Sequence, residues 1–175
     1  EIMVWTADHG AVISQNSWGN DYDFDGNGVL SAYEKDYALR DRISSSMAAA
    51  IDYFIAYAGC DKDGNQKPDS PMKGGLVVFA AGNDGIANGV PASYAPVIAV
   101  GASGMTGRLS SFSNYGSWVD ICAPGESIYS CVASGSYDRY QGTSMACPHV
   151  SGALALLLSQ FGGEGFTNEN LKEVL

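Results

Sequence analysis

GGLVVFAAGNDG, residues 74–85, sets an unbroken apolar run from Leu76 to Ala81 between Gly75 and Gly82. A run this short, apolar at every position, fits a strand covered on both faces, as in a parallel sheet. Upstream, AVISQNS (Ala11–Ser17) reads as a second strand that ends in a turn at Gly19-Asn20. Between the two, Ile43, Met47, Ala50, Ile51, Phe54 and Ile55 recur near a 3.6-residue period, which predicts an amphipathic helix over Arg42–Tyr57. Val97–Val100 is a further short apolar strand. Strand, helix and strand in this order predict an α/β fold, a mainly parallel sheet with right-handed crossovers and helices on both faces. Such sheets gather function at the carboxyl ends of their strands, here Ser17-Trp18-Gly19 and Ala81-Gly82-Asn83.

At 175 residues, with no internal repeat or linker, the chain has the size of one domain. Its net charge of -10 excludes the basic footprint of a nucleic-acid binder. The most apolar stretch, Val150–Phe161, is too short for the roughly 20 residues of a membrane span. Cys60, Cys122, Cys131 and Cys147 show neither a CxxC pair nor zinc spacing. Cys122 and Cys131 flank a Pro-Gly turn, so a local disulfide and buried free thiols both remain open.

GTSMACPHVSGALALLL, residues 142–158, leads from a flexible Gly-Thr step into a largely apolar helix. Ser144 sits at its start, among exposed N–H groups and the positive end of the dipole, a suitable place for an acyl-transfer nucleophile. Pro148 falls near the first turn, where a missing N–H is tolerated. An N-cap serine is the plainer alternative.

GTSMACPHVSG resembles the serine motif of the subtilisin-like serine peptidases, and AAGNDG (residues 80–85) their oxyanion-hole motif. NSWG, YAPVIAVGA and DICAPG follow in family order. The resemblance covers nearly the whole chain and implies a three-layer subtilisin-like fold, here the C-terminal portion of a single catalytic domain over residues 1–175. It implies a serine endopeptidase with Ser144 as nucleophile and with the Asn83 amide and Ser144 N–H as oxyanion donors. It also implies that Ser17, Trp18 and Gly19 hold an extended protein or peptide substrate, with Ala80, Ala81, Gly82 and Gly89 shaping the S1 pocket. Family habit implies a secreted or cell-surface protein.

Neither histidine suits the role of base. His149 lies five positions beyond Ser144 on the same helix, about 140° round it. His9 lies at the far end of the first strand, some 20 Å away at about 3.3 Å per residue. In the family that this chain resembles, the chain order is Asp, His, Ser. The expectation is therefore that the acid and base precede Glu1, and that this piece alone is inactive and prone to self-association through its bared sheet edge. A catalytically inactive peptide- or calcium-binding module is the alternative.

DFDGNGVLSAYE, residues 23–34, fits the EF-hand pattern D-x-[DN]-x-[DN]-G-x₅-E at every specified position. It lies in a loop insertion at residues 21–34, directly after the substrate-binding segment. Asp23, Asp25 and Asn27 would give side-chain oxygens to Ca²⁺, Val29 its carbonyl, Ser31 a direct or water-mediated contact, and Glu34 two carboxylate oxygens. A solvated acidic loop is the alternative. Asp61, Asp63 and Asn65 begin a second such run, but Gln66 and Met72 replace its glycine and glutamate.

Overall fold

The computed structural model describes all 175 residues. Four strands, β1 (Ile13–Asn16), β2 (Leu76–Ala80), β3 (Ile98–Ser103) and β4 (Ile121–Pro124), form one parallel sheet in chain order. Every residue of β2 is buried, as its unbroken apolar run requires of a strand covered on both faces. Helix α1 (Ile2–Asp8) packs on α3 (Ser45–Tyr57), and α3 on β2. The 19-residue helix α4 (Thr143–Phe161) packs against all four strands. A single 24-residue core joins the layers, with Phe54, Ile51, Val78, Phe79 and Leu154 among its fully buried members. The expected α/β architecture is present.

Several elements depart from expectation. His9 does not enter a strand; it caps α1, a seven-residue helix too short to show a period. The amphipathic helix starts at Ser45, after the Ser44 cap, not at Arg42. The acidic segment, read as a loop throughout, ends in helix α2 (Ala32–Arg40). Beyond β4, strands β5 (Ile128–Val132) and β6 (Ser136–Tyr140) form an antiparallel hairpin that no apolar run announced. A last short helix, α5 (Asn168–Lys172), stands where the sequence analysis names no element. All four cysteines are free; Cys122 and Cys131 are exposed thiols, so neither the local disulfide nor the burial of every thiol holds.

Candidate active site

Helix α4 starts where it does because Gly142, at φ +146°, turns the chain through a conformation that L side chains rarely adopt. Its N–H donates to the Gly125 carbonyl at 2.8 Å, fixing the helix mouth to the end of β4. Ser144 follows in the first turn, where N–H groups lack helical acceptors, and its own N–H makes no hydrogen bond within the protein. The Ser144 hydroxyl donates to the Ser17 carbonyl at 3.4 Å, and the Ser17 hydroxyl donates to the Ser144 carbonyl at 2.8 Å. This reciprocal pair joins the helix mouth to the loop after β1.

Beyond β2 the backbone turns at Gly82, φ +105°, where a Cβ would collide with the Asn114 amide. Asn83 comes next. Its Oδ1 accepts from the Thr143 N–H at 2.8 Å and from the Thr143 hydroxyl at 3.0 Å. The Thr143 Oγ1 in turn accepts from the Gly82 N–H at 3.1 Å. With its oxygen so engaged, the exposed Asn83 leaves its Nδ2 donors free of protein partners. A point at the Gly142 Cβ position lies 3.6 Å from Asn83 Nδ2 and 3.7 Å from Ser144 N, so two unengaged donors flank one glycine. Donors held ready without partners are what a developing oxyanion needs.

A hollow of about 180 Å³ opens beside them, lined by Trp18, Gly19, Ala80, Ala81, Gly82, Asn83, Gly89 and Ser144. These eight of its 15 lining residues are ones that the family resemblance implies; Ser17 joins them through its bonds to Ser144. The ring of Trp18 stands edge-on to buried Phe79 at 5.0 Å.

The Subtilase family profile matches residues 1–175. The chain belongs to the subtilase family. It is 56% identical over 89 residues to the thermophilic serine proteinase of Bacillus sp. (strain AK1), a match covering 50% of this chain and 22% of that protein. It is 51% identical over 89 residues to thermitase of Thermoactinomyces vulgaris, covering 50% of this chain and 32% of thermitase. The solved prenylagaramide maturation protease PagA superposes with a TM-score of 0.65 at 30% identity, over 90% of this chain and 47% of that one. A cold-adapted subtilisin-like serine proteinase gives 0.61 at 28% identity, over 92% and 47%. This subtilase chain thus spans about half the length of the solved relatives, and these establish its fold as subtilisin-like.

Both histidines of the subtilase chain are turned onto their own helices. His149 Nδ1 lies 2.7 Å from the Met145 carbonyl, and His9 Nδ1 2.7 Å from that of Trp5, on whose ring it stacks at 4.0 Å. His149 and Ser144 nevertheless face a shared space. The two line one hollow of about 410 Å³, walled on its other side by the β5–β6 hairpin, yet no hydrogen bond joins them.

In the acidic insertion, Asp23, Asp25 and Glu34 bring carboxylate oxygens within 4.8 Å of one another. Three hard oxygen donors this close, one of them 4% exposed, are a chemically apt set for Ca²⁺. Glu34 also closes a capping box: its oxygens accept from the Phe24 and Ser31 N–H groups, and Ser31 Oγ accepts from its N–H. Those bonds hold its carboxyl below the ordinary carboxylate range, the Ser31 bonds most of all. Asn27 Oδ1 accepts from the Val29 N–H, whereas Ser31 Oγ is tied to the cluster through the Glu34 N–H.

Sequence reasoning passed over three residues that hold the site. Thr143 is one. Asn114, 1% exposed, is another: its Oδ1 accepts from the N–H groups of Asp84 and Ile86, and its Nδ2 donates to the Ala81 carbonyl. Tyr22, 2% exposed, packs with Ala38 and Ile86 in a small second core beneath the pocket wall. FSNYG, the surroundings of Asn114, carries no local signal of that role. Burial raises the carboxyl of half-buried Asp84 above its ordinary value; Asp21 and Asp23 nearby add to this, while Asn114 opposes it. Burial also pushes up the Cys147 thiol, which donates to the Asn16 carbonyl at 3.6 Å and is a core residue.

Proposed function

We propose that this chain is the nucleophile-bearing portion of a secreted or cell-surface serine endopeptidase, with its base and orienting acid supplied by chain that precedes Glu1. One observation carries the reading: the Ser144 hydroxyl stands at a helix mouth flanked by two donors, its own N–H and Asn83 Nδ2, that the protein leaves unengaged. Ser144 Oγ attacks the scissile carbonyl of a protein or peptide as its proton passes to the base. The carbonyl oxygen becomes an oxyanion bonded to the two donors. Collapse expels the amine, which takes that proton, and water releases the acyl group from Ser144. The Ser17–Gly19 segment receives the substrate as an added strand.

The inactive-module reading draws on one fact: no histidine here reaches Ser144. Expression with and without upstream chain separates the two. The longer protein hydrolyses casein and Ser144→Ala abolishes this, whereas residues 1–175 alone give only background. Turnover that survives Ser144→Ala sinks the proposal.

Ca²⁺ is assigned a structural role in the insertion, held by Asp23, Asp25 and Glu34, with Asn27, Val29 and Ser31 completing its oxygens. The ion would supply a cross-link between the loop and the first turn of α2.

A further inference from the structure

Residues 18–22 and residues 89–90 form two walls of the hollow beside Ser144, and neither wall lies in a helix or strand. Irregular segments of this kind are placed by the rigid elements to which they are bonded. The walls meet where the Asn20 N–H donates to the Val90 carbonyl at 2.9 Å. Gly19 packs so near that a Cβ there would lie 3.2 Å from the same oxygen. This contact sets the spacing of the walls, and both are then tied to the end of α2.

The tie runs through one residue that does not line the hollow. Asp41 is the C-cap of α2 and belongs to none of the subtilase motifs. Its Oδ2 accepts from Asn20 Nδ2 at 2.6 Å and from the Tyr22 hydroxyl at 3.0 Å, so the first wall is gripped twice. Its Oδ1 accepts from the Arg42 N–H at 2.9 Å, which fixes the carboxylate at both oxygens. Hydrogen bonds to a carboxylate are stronger than those between neutral groups. On the other side, Asn88 Nδ2 donates to the Ala38 carbonyl at 2.7 Å and to the Asp41 carbonyl at 3.3 Å, gripping the segment that enters the second wall. The anchor is firm, because Ala38 is fully buried against Tyr22 and Ile86.

Ser144 and Asn83 are held by a separate set of bonds, to Ser17 and Thr143. Loss of the Asp41 carboxylate therefore loosens the walls and leaves the nucleophile and the oxyanion donors in place. We infer that Asp41 is a positioning residue for the pocket: through Asn20 and Tyr22 it sets the grip on the side chain whose own carbonyl Ser144 attacks, and so governs KM and not kcat. The inference rests on the proposed peptidase function and adds the residue that controls its substrate affinity.

The test uses the protein expressed with its upstream chain, at fixed Ca²⁺, on quenched peptides with phenylalanine or glycine at that position; glycine leaves the hollow empty. Asp41→Ala should raise KM for the phenylalanine peptide about tenfold, keep kcat within about twofold, and hardly change KM for the glycine peptide. Asp41→Asn, which keeps an accepting oxygen, should fall between the parent and Asp41→Ala. In an Asn20→Ala, Tyr22→Phe background Asp41→Ala should add little, because the arms it acts through are gone. A merely stabilising residue would lower the melting temperature and leave the difference between the peptides unmoved. An unchanged KM, an equal rise for both peptides, or full additivity in that background overturns the inference, while cleavage itself upholds the peptidase. Should Asp41→Ala melt below the assay temperature, Asn20→Ala, at an exposed residue, and Tyr22→Phe decide by the same comparison of KM values. If the parent cleaves neither peptide, anisotropy of labelled peptides ending in phenylalanine or glycine decides. Weaker binding of the phenylalanine peptide by Asp41→Ala keeps the positioning role without the peptidase, and equal or absent binding removes both.

Discussion

The helix mouth around Ser144 and the acidic insertion around Glu34 are both dense in polar contacts, but their bonds differ in reach. Asn83 meets Thr143 across 60 positions of chain, and Ser17 meets Ser144 across 127. In the insertion, Asp23, Asp25 and Asn27 bond to groups at most five positions away, and Glu34 no further than ten. The first region exists only when β1, β2 and α4 are packed together, so the energy of the whole core enforces its geometry. The second is a set of local turns that gathers like charges, and a bound cation would relieve their repulsion. The first region is preorganised by the fold, and the second is held by short-range bonds alone.

The contrast can be broken most sharply at Asn83. If the proposed function holds, Asn83→Leu in the protein expressed with its upstream chain should lower kcat with little change in KM; loss of an oxyanion-hole asparagine in subtilisin costs about 10²- to 10³-fold. Its melting temperature should hold. An unchanged kcat would mean that the preorganised donors serve no oxyanion.

The insertion should respond to metal where the helix mouth does not. Calorimetry of the chain should show Ca²⁺ binding that Asp23→Asn and Asp25→Asn weaken; Glu34→Ala should also remove it, at the added cost of a helix cap. With Ca²⁺ at 100 times its Kd, stability should rise by about 2.7 kcal/mol over the EDTA-treated protein. Absence of a Ca²⁺-dependent melting shift would leave Glu34 a capping residue only.

Asn114→Ala sharpens the claim that distant polar contacts hold the active site. It strands the Asp84 and Ile86 N–H groups and the Ala81 carbonyl, so denaturant unfolding should show a loss of about 1–3 kcal/mol. A loss as small as that of an exposed asparagine would refute the clamp.

The smallest effect belongs to Asp84. Its folded carboxyl lies above its ordinary value, so between the two the folded state binds more protons than the unfolded state. Stability should therefore fall as pH rises from the unfolded value through the folded one. Asp84→Asn should flatten that fall, matching the parent at low pH and exceeding it at neutral pH. A parallel profile for both proteins would contradict the assignment.

Much of this was legible in sequence because the chemistry depends on residues at chain punctuation. An apolar run ending at Gly82-Asn83, and a Gly-Thr-Ser step into an apolar helix, place Asn83 at a strand end and Ser144 at a helix mouth without coordinates. The pocket lining was legible for the same reason, since Trp18, Gly19 and Ala80–Gly82 follow strand ends. What stayed hidden was whatever distant packing decides. Asn114 and Thr143 look like ordinary polar residues until the fold sets them against Ala81 and Asn83. The hairpin of β5 and β6 was missed because both strands are largely exposed and mix aromatic with polar residues, so neither an apolar run nor a buried face stands out. Helix α2 is hidden in the sequence because the same Ser31 and Glu34 fit both a capping box and the end of an EF-hand pattern.

The proposed role of Ser144 can be tested directly by treating the protein, expressed with its upstream chain, with a peptidyl phosphonate ester and sequencing the modified peptide by mass spectrometry. One phosphonyl group per molecule should appear, on Ser144, and Asn83→Leu should slow its formation. Labelling at another residue, or none in a preparation that cleaves peptides, would contradict the assignment of Ser144.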